Sequence, residues 1–176
     1  MFLQKDKSLI FLTGYMGAGK STIGRRLAKQ LGYKYTDTDK ALEKKFKSSI
    51  SGIFEKHGER VFRQAENELI ERLSRRHHYV VSAGGGTLTR IETFYPASRS
   101  GVLVYLKAPV DVLFERAAFS LKDRPLLNEP DTENLFQERF KAREPYYTRS
   151  DFTVETHNRT SDDVIEDIIE WLDTPP

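Results

Sequence analysis

The sequence predicts an α/β fold built on one parallel, doubly wound sheet. Three observations carry that prediction. Short apolar runs of strand length alternate with segments of helical periodicity. A glycine-rich turn, Gly14-Tyr15-Met16-Gly17-Ala18-Gly19-Lys20-Ser21, joins the first apolar run to the first helical segment. Two further polar or glycine-rich motifs follow later strand candidates at their carboxyl ends, where open α/β sheets bind ligands.

The elements follow in order. Strand candidates occupy residues 9–13, 34–36, 79–82, 102–106 and 151–154. The first is the run Leu9-Ile10-Phe11-Leu12-Thr13, and after the glycine turn Ile23, Leu27 and Leu31 recur at helical spacing. The last helix is the plainest. Val164, Ile165, Ile168, Ile169 and Leu172 form one apolar stripe, and Thr160 with Asp163 has the pattern of a capping box. That stripe is core packing and carries no chemistry. Residues 119–131 hold two prolines, several charges and little periodicity, and read as a surface loop of the kind that forms lids. No internal repeat or low-complexity tract interrupts the pattern.

Composition bounds the function. A chain of 176 residues suggests a single domain, 1–176, with a sizeable core. Hydrophobic residues at 38% and charged residues at 31% suit a globular protein rather than a disordered one. No apolar run approaches a membrane helix and no signal-peptide core is seen, so a cytoplasmic protein without a membrane partner is expected. The absence of cysteine excludes disulfides and thiolate metal sites. A net charge of +2 gives no bias toward nucleic acid, and Arg75-Arg76 reads as a solvated helix end. The histidines (His57, His77, His78 and His157) lack zinc-like spacing.

Residues 14–21 fit the phosphate-binding pattern G-x-x-x-x-G-K-[ST]. Glycines let the backbone turn several N–H groups toward one anion, and the following helix adds a partial positive charge. Lys20 is placed to reach the β- and γ-phosphates, and the Ser21 hydroxyl to ligate Mg²⁺. An ordinary glycine turn is the plainer alternative; the strand before and helix after favour the phosphate site. Asp37-Thr38-Asp39 closes the second strand candidate. On an extended chain two carboxylates one residue apart point the same way, so one would serve Mg²⁺ through water and the other a substrate hydroxyl. The plainer alternative is an aspartate N-cap for a helix starting near Lys40, a role Asp39 can also fill. Gly84-Gly85-Gly86 follows the strand candidate at 79–82, and is either a flexible turn or a backbone donor surface for a ligand. Ser82 is a candidate outer partner of the metal. Arg63, Arg124 and Arg143 are candidate carboxylate or phosphate ligands, although any single arginine is more often a surface charge.

Taken together these residues resemble shikimate kinase over nearly the whole chain. The resemblance rests on the P-loop at 14–21, on Asp37-Thr38-Asp39, and on Ser49-Ile50-Ser51-Gly52-Ile53-Phe54. It extends through Gly58-Glu59, Phe62-Arg63 and Glu66 to Gly84-Gly85-Gly86, Arg124-Pro125-Leu126-Leu127 and Arg143-Glu144-Pro145-Tyr146-Tyr147. The resemblance implies a three-layer P-loop kinase fold of the nucleoside-monophosphate-kinase type. A central five-stranded parallel sheet would be flanked by helices, with a substrate-binding helical segment at about 38–75 and a mobile lid at about 118–130. It implies transfer of the ATP γ-phosphate to the 3-hydroxyl of shikimate, on the route to chorismate and the aromatic amino acids, by a monomer that takes only small-molecule substrates. Lys20, Asp39 and Arg124 would be catalytic. Gly14, Gly17, Ala18, Gly19, Lys20, Ser21, Thr22, Arg116, Arg124 and Arg159 would hold the nucleotide, and Ser21 and Asp37 the Mg²⁺. Asp39, Arg63, Gly84, Gly85, Gly86 and Arg143 would bind shikimate, with Glu66 orienting Arg63. The adenine loop departs from the family pattern: Thr156-His157-Asn158-Arg159-Thr160 has no proline, and Asn158 and Arg159 are the expected adenine neighbours. Two rivals stay open, another small-acid kinase of the same fold such as gluconate kinase, and a nucleotide-binding domain without catalysis.

Overall fold

The computed structural model describes residues 5–120 and 132–175. Strands β1 (Leu9–Thr13), β2 (Lys34–Asp37), β3 (Tyr79–Ser82), β4 (Val102–Lys107) and β5 (Phe152–Glu155) form one sheet. All neighbours are parallel, in the order β2-β3-β1-β4-β5. The helices are α1 (Lys20–Leu31), α2 (Thr38–Phe46), α3 (Ile50–Leu73), α4 (Ile91–Ser100), α5 (Val110–Ser120), α6 (Thr132–Tyr147) and α7 (Ser161–Asp173). The α/β class and the five parallel strands are as the sequence predicts.

Alternation along the strands builds the three layers. Ile10 and Leu12 of β1 pack with Leu27 of α1, Leu113 of α5, Phe140 of α6 and Ile165 of α7. Leu9 and Phe11, on the opposite face, pack with Leu42 of α2, Phe62 and Leu69 of α3 and Ala97 of α4. Period-two alternation between two apolar faces produces continuous apolar strands, because a parallel sheet is covered on both sides. The expected stripe of α7 is present, with Val164, Ile165 and Ile168 buried and the Thr160–Asp163 capping box closed in both directions.

Several boundaries differ from expectation, among them that of β4, which runs one residue further, to Lys107. β2 runs one residue further, to Asp37. β5 begins after Asp151, whose carboxylate instead accepts from the Leu103 amide at 2.8 Å. Within α3, Gly58 leaves helical geometry at φ 77°, ψ 165°, so the helical segment expected at 38–75 is α2 followed by two helical pieces. Among the described residues, no helix is long and apolar enough to cross a membrane. The expected lid at 118–130 overlaps the end of α5, and its remainder, with Arg124, lies outside the described residues.

Candidate active site

The carboxyl ends of β1, β2 and β3 meet at one edge of the sheet, where the strand order reverses. After Thr13 the chain enters the glycine loop and leaves it as α1. Gly17 shows why the loop needs glycine. Its φ is +84°, and a Cβ there would lie 2.4 Å from the Leu113 carbonyl oxygen. Gly19 caps α1 in left-handed geometry, and the first α1 amides fall where a helix has no internal acceptor. Gly14, Gly17, Ala18, Gly19, Lys20, Ser21 and Thr22 all lie along this turn into α1, where the Ala18 amide donates to the Tyr15 carbonyl at 3.3 Å and the Thr22 amide to the Gly19 carbonyl at 3.1 Å. Lys20 Nζ donates to the carbonyls of Gly14 at 2.7 Å and Tyr15 at 2.9 Å. Burial pulls its pKa down to about 8, opposed by Asp39 and Asp37, so it stays an ammonium at neutral pH.

The two aspartates divide their work. Asp37 ends β2 and is the N-cap of α2, accepting from the Lys40 amide at 3.1 Å. Its other oxygen accepts from Ser21 Oγ at 2.6 Å. Asp39 does not cap the helix, and it does not sit on extended chain. It lies in the first turn of α2, because the helix begins two residues earlier than the Lys40 start expected from sequence. Both carboxylates nevertheless act on Lys20. Burial, with Asp37, Glu66 and Glu43 adding and Lys20 opposing, pushes the Asp39 pKa up to about 6. Among the described residues no hydrogen bond to its carboxylate is found, which leaves its lone pairs available to an acceptor hydroxyl. Ser82, the candidate outer partner of the metal, donates to the Lys20 carbonyl at 2.8 Å and tethers β3 to α1.

The triple glycine forms a floor opposite the P-loop. The Gly84 amide donates to Thr38 Oγ1 at 2.9 Å, and the buried Tyr147 hydroxyl donates to the Gly85 carbonyl at 2.6 Å. Asp39 Oδ1 packs so tightly on Gly84 that a Cβ there would lie 2.3 Å from it. Two guanidinium groups converge on Gly86. A Cβ at Gly86 would lie 3.6 Å from Arg143 Nη2 and 3.9 Å from Arg63 Nη1. Arg63 faces the Phe62 ring, donates to Glu66 at 3.0 Å and to Glu59 at 3.1 Å. Arg143 lies over the Tyr15 ring, 5.6 Å from its centre, and among the described residues forms no ion pair. Two guanidiniums facing one small space, one of them uncompensated, favour a carboxylate or phosphate between them.

The expected adenine residues lie at the far end of the P-loop edge. Arg116 of α5 donates to the Thr156 carbonyl at 3.0 Å and to its hydroxyl at 3.2 Å, fixing the loop after β5. Asn158 takes φ +55°, a geometry asparagine tolerates. Arg159 turns to α7, pairing with Asp167 and donating to the Asp163 carbonyl at 3.2 Å. Sequence reasoning missed Thr38, Thr87 and Tyr147 as supports of the glycine floor. Their only signal was adjacency to Asp39, to the triple glycine and to Pro145.

Comparison with known proteins gives a consistent picture. The family profile described as shikimate kinase matches residues 16–173. A shikimate kinase from Chlorobium chlorochromatii is 42% identical over 174 residues, covering 94% of this chain and 91% of that protein. One from Caldanaerobacter subterraneus subsp. tengcongensis is 38% identical, covering 91% and 93%. Among solved structures, shikimate kinase from Acinetobacter baumannii in complex with shikimate superposes with a TM-score of 0.86 at 35% identity, covering 94% of this chain and 93% of that one. A gluconokinase from Sinorhizobium meliloti shares the fold alone, with a TM-score of 0.59 at 18% identity.

Proposed function

The chain belongs to the shikimate kinase family, and from that premise we propose that it transfers the γ-phosphate of ATP to the 3-hydroxyl of shikimate. The convergence of Arg63 and Arg143 on Gly86, with Asp39 one glycine away on Gly84, carries the reading. That spacing suits a compact acid with a carboxylate at one end and hydroxyls at the other. The gluconate-kinase alternative rests only on shared fold. The gathering of Asp39, Arg63 and Arg143 around the triple glycine disfavours a catalytically silent domain.

Roles follow from the positions. The loop amides and Lys20 hold the β- and γ-phosphates and offset their charge. Ser21 Oγ and Asp37, already 2.6 Å apart, form an all-oxygen donor set that suits Mg²⁺. Among the described residues no group of three or more His, Cys, Asp or Glu holds a metal by itself. That fits an ion which keeps water and phosphate oxygens in most of its positions. When bound, Mg²⁺ neutralises phosphate charge; the chain supplies the rest. Asp39, raised toward neutral pH, takes a hydrogen bond from the attacking hydroxyl, aligns it and accepts its proton. Arg63 and Arg143 clamp the carboxylate, and Gly84, Gly85 and Gly86 let the ring lie close to backbone. Arg116 steadies the loop beside the adenine, with Arg159 at its rim. A monomer in a cytoplasmic setting completes the proposed reading.

The test is ADP release with Mg²⁺, ATP and a panel of hydroxy acids. Shikimate-dependent release with mass-spectrometric detection of shikimate 3-phosphate is expected. Release with gluconate and none with shikimate would replace the reading with its rival.

A further inference from the structure

Glu66 lies on α3 with only 2% of its surface exposed, and each of its carboxylate oxygens has one strong donor. Arg63 Nη1 donates to Oε2 at 3.0 Å, and Thr87 Oγ1 donates to Oε1 at 2.7 Å. Thr87 is 1% exposed and opens the short 3₁₀ turn Thr87–Thr89 that follows the triple glycine. Its amide donates to the Gly84 carbonyl at 3.0 Å, and its carbonyl accepts from the Thr93 hydroxyl of α4. Thr89 Oγ1 donates to the Gly86 carbonyl at 2.9 Å. The hydroxyl that orients Glu66 therefore belongs to the same rigid turn that carries the glycine floor.

We propose that Thr87 is a positioning residue for the acceptor carboxylate: its hydroxyl fixes the rotation of Glu66, and Glu66 in turn holds the Arg63 guanidinium toward Gly86. The inference rests on the reading of Arg63 as a carboxylate ligand. A buried carboxylate must satisfy both oxygens. With the Thr87 donor gone, the donor that remains to Glu66 among the described residues is Arg63, and both oxygens turn to it. The guanidinium is then drawn toward α3 and away from the space it shares with Arg143. The Thr87 hydroxyl ends, through two bonds, on a cation of the site. β-Branching restricts the Thr87 side chain to few rotamers, so the donor is aimed before substrate arrives.

The experiment compares Thr87→Val, which keeps the shape and removes the hydroxyl, with Thr87→Ser, which keeps the hydroxyl. Thr87→Val should raise the KM for shikimate about tenfold, the scale of one charge-assisted hydrogen bond. The KM for ATP should not move, and Thr87→Ser should stay near wild type. In an Arg63→Ala background, Thr87→Val should add nothing to the shikimate KM. Equal behaviour of the Val and Ser variants, parallel rises in both KM values, or an undiminished Thr87→Val effect in the Arg63→Ala background overturns the proposal. If Thr87→Val does not fold, Thr87→Ala removes the same hydroxyl without crowding. Failure of both to fold beside a folded Ser variant would make Thr87 a core residue and also overturn it. If Arg63→Ala leaves shikimate binding unchanged, the carboxylate clamp itself fails, whatever Thr87 does.

Discussion

Replacing Gly84 by alanine tests whether the glycine floor sets the place of Asp39. The Cβ would lie 2.3 Å from Asp39 Oδ1, 3.0 Å from its carboxyl carbon and 2.9 Å from Thr87 Oγ1. Ordinary contact requires the carboxylate to retreat by about 1 Å, and a misplacement of that size costs on the order of 10²-fold in rate. Overpacking of this kind also costs about 1–3 kcal/mol of stability. For a domain of this size that lowers Tm by roughly 2–4 °C per kcal/mol. The φ of Gly84 is not in the left-handed range, so the effect is crowding rather than backbone strain. The phosphate loop is untouched. Gly84→Ala should therefore lose about 10²-fold in kcat while calorimetric ATP affinity stays at the wild-type value. A folded Gly84→Ala enzyme with kcat within about threefold of wild type would refute the placement, since a 1 Å shift of an aligning group predicts far more.

Two other predictions concern the aspartates. The ordinary pKa of an aspartate is 3.8, and burial beside Asp37 raises that of Asp39 to about 6. Between those values the native chain binds the extra proton, so Asp39 favours folding at low pH and that contribution is lost as pH rises from about 4 to about 6. Thermal unfolding of Asp39→Asn should gain on wild type across that window and run parallel above it; curves parallel throughout would contradict the assignment. Asp37→Asn keeps a competent helix cap, because asparagine caps as well as aspartate. Its rate should need about tenfold or more additional Mg²⁺ for half-saturation, the scale of losing a metal-supporting carboxylate. An unmoved Mg²⁺ titration would remove Asp37 from the metal site.

The fold was legible because parallel strands buried on both faces read as continuous apolar runs, and those of β1, β3 and β4 stand out. β2 and β5 lie at the sheet edges and are partly exposed, so their ends are less legible, while the buried β4 runs one residue past its apolar stretch, to Lys107. The break at Gly58 was hidden because one residue of non-helical geometry scarcely disturbs an apolar stripe. At the site, the P-loop spacing was legible because local backbone geometry demands it. Asp39 was placed near the right neighbours for a wrong local reason: helix rather than strand brings it beside Lys20. The links from Thr87 to Glu66 and from Tyr147 to Gly85 join residues far apart in sequence, and a single chain carries no periodic mark of such pairs.

The central claim is that Arg63 and Arg143 hold the acceptor by its carboxylate. Calorimetric binding of shikimate and of its methyl ester, to wild type and to the Arg63→Ala/Arg143→Ala double variant, tests it most directly. Wild type should bind the acid about tenfold or more tightly than the ester, and the double variant should bind the two alike. Equal affinity of acid and ester for wild type, or a preference for the acid that persists without both arginines, would contradict it.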